Sequence, residues 1–100
     1  MIERQVVFTP EAQDDLFAIY DWVAEKASPM VAMRFTGRIE GFCRRLGLMA
    51  ERGRSRDDIR PGLRIIGFER RVTIAFVIQT ERVMILRLFY GGRDWEEVLA

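Results

Sequence analysis

PGLRIIGFERRVTIAFVIQTERVMILRLFYGGRD, from Pro61 to Asp94, reads as three short antiparallel strands in succession. The segments are Leu63 to Phe68, Val72 to Gln79 and Arg82 to Tyr90, separated by Glu69-Arg70-Arg71 and by a hairpin turn at Thr80-Glu81. β-Branched and aromatic residues dominate them, as a pleated and half-buried surface favours. Val72, Ile74, Phe76 and Ile78 share one face, with Thr73, Ala75, Val77 and Gln79 between them. Val83 to Tyr90 is instead apolar at almost every position, with Arg87 set into it. A strand rich in Ile and Leu gives an arginine no packing role, so Arg87 must leave by the face opposite the core, and Arg64 is placed with it.

Working outward, Glu51 to Arg60 is a charged connection carrying four arginines to the first of these strands, and Pro61-Gly62 is a turn signal. Upstream lie two helices. Thr9-Pro10-Glu11 is a start signal, because a threonine oxygen accepts from the first free N–H groups and proline fits the first helical position. The helix from Pro10 to about Ala27 carries the stripe Ala12, Leu16, Ile19, Tyr20 and Val23. Ser28-Pro29 repeats the signal, and the second helix runs to about Met49 with Ala32, Phe35, Ile39, Phe42, Cys43, Leu46 and Met49 as its buried stripe. A strand over Ile2 to Thr9 precedes them, and Asp94 to Ala100 forms a short acidic helical turn.

Two features stand off these stripes. Phe17 and Trp22 either pack on the second helix or offer a surface to a partner. Met33, Gly37, Gly41, Arg44 and Leu48 line the outer side of the second helix, where each glycine costs about 1 kcal/mol relative to alanine. Small residues four apart admit either the first helix or a docked segment. The resulting fold class is α+β in the order β-α-α-β-β-β, one domain over residues 1–100. Its antiparallel sheet is packed on one face by the N-terminal helix hairpin and free on the other.

Composition narrows the chemistry. With one cysteine and no histidine among 100 residues, the chain lacks an internal disulfide, a catalytic histidine and a zinc site of the usual ligands. No phosphate-binding glycine loop occurs, and neither a cofactor nor a metal is expected. No run of eighteen apolar residues and no leader are seen, so the expected location is the cytoplasm. The net charge of +1 hides a segregation: residues 1–27 sum to −4, residues 28–93 to +8 and residues 94–100 to −3. Fifteen of the sixteen basic residues are arginine, which favours bidentate contacts to carboxylate or phosphate.

These residues resemble the ParE/RelE superfamily of toxins from bacterial type II toxin–antitoxin systems, and within it the ParE branch. The likeness rests on Val7-Phe8-Thr9-Pro10 with Ala12, Asp15-Leu16 and Ile19-Tyr20; on Pro29 and Ala32; on Pro61-Gly62-Leu63-Arg64; and on Val83 to Leu88 leading into Tyr90-Gly91-Gly92-Arg93-Asp94. It spans nearly the whole chain. The loop Met49-Ala50-Glu51-Arg52-Gly53 departs from the small aliphatic, proline and glycine run of many members, and Tyr90 stands where many have histidine.

The resemblance implies a toxin that inhibits DNA gyrase and is not an enzyme, neutralised by a ParD-like antitoxin whose segment folds on binding to give a hetero-oligomer. Nucleic acid enters only indirectly, and no membrane is involved. Candidate antitoxin contacts are Phe17, Trp22, Met30, Met33, Arg64, Arg70, Arg71 and Arg87; candidate target contacts are Arg87, Tyr90 and Arg93. The alternative implied by the RelE branch is a ribosome-dependent endoribonuclease cleaving messenger RNA, with Arg64, Arg87 and Tyr90 as its catalytic set. The lysines of that pattern are missing, and arginine hardly deprotonates to act as a base. A nontoxic binding module that retains the fold is the third reading.

Overall fold

A computed structural model describes residues 3–92 and 94–100. The elements are β1 (Gln5–Phe8), α1 (Pro10–Lys26), α2 (Pro29–Arg45), β2 (Arg54–Ser55), β3 (Leu63–Phe68), β4 (Val72–Ile78), β5 (Arg82–Tyr90) and α3 (Trp95–Leu99). They build an α+β fold around one five-stranded sheet of order β1-β5-β4-β3-β2. The β2–β3, β3–β4 and β4–β5 pairs are antiparallel, and β1 joins β5 in parallel.

Both helix starts follow from their caps. Thr9 Oγ1 accepts from the Ala12 N–H at 3.0 Å and Ser28 Oγ from the Val31 N–H at 3.1 Å, each followed by proline in the first turn. The hairpin lays Ala12, Ile19, Val23, Ala32, Phe35, Ile39, Cys43 and Leu46 on one sheet face, where they meet Phe68, Val72, Ile74, Phe76, Val83, Ile85 and Leu88. Cys43 is fully buried there, and burial pushes its thiol up to about 12, which leaves it a small inert hydrophobe.

The near-continuous apolar run of β5 has a structural cause. Phe76 pairs with Ile85 and Ala75 with Arg87, so Leu86 is an extra residue, a β-bulge. Alternation therefore changes phase at Leu86: Val83 and Ile85 face the hairpin before it, Leu88 and Tyr90 after it. Without the bulge Arg87 would share the face of Val83 and Ile85 and put a charge into the core. Thr9 holds the bulge in place. Its N–H donates to the Ile85 carbonyl at 3.0 Å and its hydroxyl to the Leu86 carbonyl at 2.9 Å.

Four expectations are corrected. The opposite sheet face is not free: Leu63, Ile65, Ala75 and Phe89 form a second small core with Leu99, against which Ile59, Leu86 and Trp95 pack. The acidic tail folds over that face because Leu99 supplies an apolar anchor, while Arg56 holds Glu96 at 2.8 Å and lies 5.2 Å from the Trp95 ring centre. Second, α2 ends at Arg45, four residues before Met49. Its chain tightens into bonds from Leu46, Gly47 and Leu48 to the carbonyls three residues back, and Gly47 abuts the β1 backbone, its carbonyl accepting from the Arg4 N–H at 2.7 Å. The helical phase then slips, so Ala50 is buried while Met49 is exposed. Third, the 51–60 connection contains the two-residue strand β2. Fourth, the first strand adds in parallel, so the sheet is not wholly antiparallel.

The two hairpin turns differ in strain. The Arg71 N–H donates to the Phe68 carbonyl, and both residues between them sit at positive φ, Glu69 at 50° and Arg70 at 58°. That region costs a non-glycine residue about 1–2 kcal/mol. Glu69 holds Arg38 of α2 through a bidentate pair at 2.8 and 3.0 Å, and this pair keeps its carboxyl below the usual range. Arg70 makes no such bond among the described residues. Arg70→Gly is therefore expected to stabilise the fold by about 1 kcal/mol, with a Tm gain of about 5 °C in thermal unfolding.

Candidate functional site

Arg87 does leave on the face opposite the hairpin, beside Ala75, but it is not displayed there. Its guanidinium turns round the edge of β5 and meets Asp15 of α1 in a bidentate pair, Nε to Oδ2 at 2.7 Å and Nη2 to Oδ1 at 3.0 Å. The same carboxylate accepts the Leu88 N–H at 2.9 Å. Asp15 is almost enclosed, with 11% of its side chain exposed, and its hydrogen bonds raise the Arg87 pKa still further. Arg87 is thus a cation locked to the scaffold.

Arg64 is a correction as well. It pairs with Phe76 and so projects on the hairpin side of the sheet, where its Nε donates to the Arg52 carbonyl at 3.0 Å. Tyr90 lies at the far end of β5 and packs on Trp22 and Phe35, with ring centres 4.9 and 5.9 Å apart. From register and strand spacing, Tyr90 and Arg64 stand roughly 16 Å apart along the sheet, four residues and two strands away from each other. The three nuclease candidates do not converge on one atom, as general acid–base or phosphate-stabilising work requires.

A different set of residues does converge. Trp22 is about half exposed and forms the ridge between two clefts at the end of the hairpin. One, of about 450 Å³, lies between α1 and β5 and is mainly apolar. The other, of about 410 Å³, has Phe35 and Tyr90 in its lining and Lys26, Arg34, Arg38 and Arg71 as its cations. A third groove runs along α2 past Met33, Gly37 and Gly41, flanked by Arg34, Arg38 and Arg45. The first helix does not pack on these glycines: a Cβ on Gly37 would meet nothing, and one on Gly41 only the tip of Arg45. Met30 and Met33, at 63% and 66% exposure, extend the apolar surface.

The expected contacts therefore divide. Trp22, Arg71 and Tyr90 come together at the two clefts, and Met33 lines the α2 groove. Phe17 is exposed but lines none of the three, Arg70 sits at a turn tip, and Arg93 lies outside the described residues. Lys26, Arg34, Arg38 and Arg45 were not singled out from the sequence. The signal was present in the spacing of Arg34, Arg38 and Arg45, which recurs at four and seven residues beside Met30, Met33, Gly37 and Gly41.

Comparison with known proteins matches residues 6–95 to the family described as ParE toxin of the type II toxin–antitoxin system parDE. The chain belongs to the ParE toxin family. A curated relative, Toxin ParE3 of Caulobacter vibrioides, is 32% identical over 87 residues, covering 87% of this chain and 86% of that protein. A solved structure described as the chromosomal ParDE TA system from P. aeruginosa superposes with a TM-score of 0.77 at 27% identity, covering 89% of this chain and 97% of that one. This ParE-type chain carries its exposed apolar and basic surface on the helix hairpin, at the clefts just described. No helix among its described residues is long and apolar enough to cross a membrane.

Proposed function

We propose that this toxin acts in the cytoplasm by inhibiting DNA gyrase and is held inactive by a ParD-like antitoxin bound across the helix hairpin. The observation that carries this reading is the family match over residues 6–95. The hairpin surface supports it. Methionines, an exposed tryptophan and a fringe of arginines suit a segment that is disordered alone and folds on binding. The inhibitor reading is favoured over messenger cleavage because Arg87 is bound to Asp15 and Tyr90 is packed on aromatic rings, away from Arg64.

Expression of the chain alone is expected to arrest growth, and co-expression with its antitoxin to restore it. Trp22→Ser with Met33→Ser should stay folded and toxic while escaping neutralisation, read as arrest in the presence of antitoxin. Tyr90→Phe is expected to stay toxic, because its hydroxyl performs no chemistry in this reading. No arrest under full expression of the folded chain would leave only a binding module. Messenger cleavage on ribosomes that is lost in Tyr90→Phe would favour the nuclease.

A further inference from the structure

Where α2 ends, Arg45, Arg52 and Arg64 gather without an ion pair among the described residues. The Arg45 and Arg52 guanidiniums lie 5.9 and 5.5 Å from the centre of one ring, Phe42, which itself packs on Phe68. Arg64 joins them from the hairpin face of β3. Its Nε is bound to the Arg52 carbonyl, and its two terminal nitrogens have no partner among the described residues. A guanidinium held over a ring keeps its N–H edge for another partner.

The loop that delivers Arg52 is fixed to the sheet. Gly53 has φ 76°, and a Cβ there would fall well inside contact distance of the Ile65 carbonyl oxygen and 3.0 Å from Ile66 Cβ, so the chain lies directly on β3. Arg54 and Ser55 then pair with Ile65 and Arg64. Residues 44–64 hold seven arginines against three acids, and two of those acids are already engaged. Asp57 accepts from Ser55 Oγ at 2.7 Å and from the Gly62 N–H at 2.8 Å, and Asp58 holds Arg56 at 2.9 Å. The Gly62 and Ser55 bonds, and more weakly the charge of Arg64, keep the Asp57 carboxyl below its usual range. A net positive surface remains, built of guanidiniums on a braced platform.

We propose that Arg45, Arg52 and Arg64 form a phosphodiester site through which the toxin grips the backbone of duplex DNA. One carboxylate satisfies one guanidinium fork, whereas three forks side by side suit a chain that repeats its charge. Arginine alone hardly deprotonates, so the site holds phosphate without cleaving it. The choice of DNA as the polyanion rests on the gyrase reading above. Nucleic acid then becomes a direct partner, where the family resemblance implied an indirect one.

The test titrates the purified chain into a fluorescent DNA duplex at several salt concentrations, without gyrase. Three phosphate contacts predict that log K falls with log salt at a slope of about −2.7. Arg45→Gln with Arg52→Gln is expected to weaken binding at low salt at least about tenfold and to flatten the slope by about 2. Arg4→Gln with Arg82→Gln removes the same charge at the β1 edge of the sheet and should change affinity less than about twofold. Thermal unfolding of each variant separates lost binding from lost fold. No duplex binding by the folded wild-type chain, or an equal loss in the two double variants, would overturn the site. Tighter binding of single-stranded RNA or of an acidic peptide than of the duplex would overturn it as well, assigning the arginines to that partner. Because gyrase is absent from the titration, a toxin that binds duplex but leaves gyrase active would contradict the gyrase reading and uphold the DNA site.

Discussion

Asp15→Ala is expected to lower stability by about 3 kcal/mol, seen as a loss of about 10–20 °C in Tm for a domain of this size. Three hydrogen bonds end on that carboxylate, two from Arg87 and one from the Leu88 N–H. Removing it strands a partly buried guanidinium and frees a backbone donor at the edge of the sheet, and the unpaired groups rather than the lost attraction account for most of the cost. The value lies at the lower end for broken buried pairs because 24% of the Arg87 side chain is exposed. Asp15→Asn keeps an acceptor for Leu88 and should lose about half as much. Arg87→Ala leaves Asp15 bonded to Leu88, and a double-mutant cycle between Asp15 and Arg87 should show coupling above about 1 kcal/mol. Additive losses would mean that Arg87 does not depend on Asp15. Toxicity is expected to survive Arg87→Ala wherever enough folded protein accumulates.

Gly47→Ala is expected to cost about 2–4 kcal/mol, the range for forcing atoms into a closed contact. A Cβ there falls well inside contact distance of the Arg4 carbonyl oxygen and lies 3.2 Å from Val6 Cγ2 and from the Arg44 carbonyl oxygen. Two of those three neighbours are backbone, which has no rotamer with which to yield. The chain must then give up the Arg4 to Gly47 bond and draw β1 away from the end of α2. Thermal unfolding should show the loss, and amide exchange should place it at Arg4 to Phe8. Gly37→Ala is the control. Its Cβ meets nothing, so helix propensity alone predicts a gain of up to about 1 kcal/mol.

Short-range chemistry made much of this fold readable from the chain. Thr9-Pro10 and Ser28-Pro29 start helices because capping is local, and Val72 to Ile78 alternates because every second residue faces the hairpin. What escaped was set by distant contacts. Arg87 was seen to need an exit, but its partner lies 72 residues earlier, in a helix where no local pattern marks Asp15. The bulge at Leu86 hid the change of face behind a nearly continuous apolar run, and Arg64 was placed on the wrong side because β3 is apolar on both faces, with Ile66 and Phe68 on one and Leu63 and Ile65 on the other. Gly47 stops α2 through contact with β1, which no local pattern reports. The closing of the second sheet face depends on Leu99 and Trp95 reaching across from a segment that looked merely acidic. At the site, Trp22 and Met33 stood out because they lay off the core stripe, while Arg34 and Lys26 needed the clefts to give them a role.

We propose that this ParE-type chain inhibits gyrase and that an antitoxin prevents it. Supercoiling of relaxed plasmid by purified gyrase tests it most directly, with the toxin titrated in and cleaved DNA scored in the same reaction. Loss of supercoiling with accumulation of cleaved DNA is expected, both prevented when antitoxin is added first. Undiminished supercoiling at a large excess of folded toxin would contradict it.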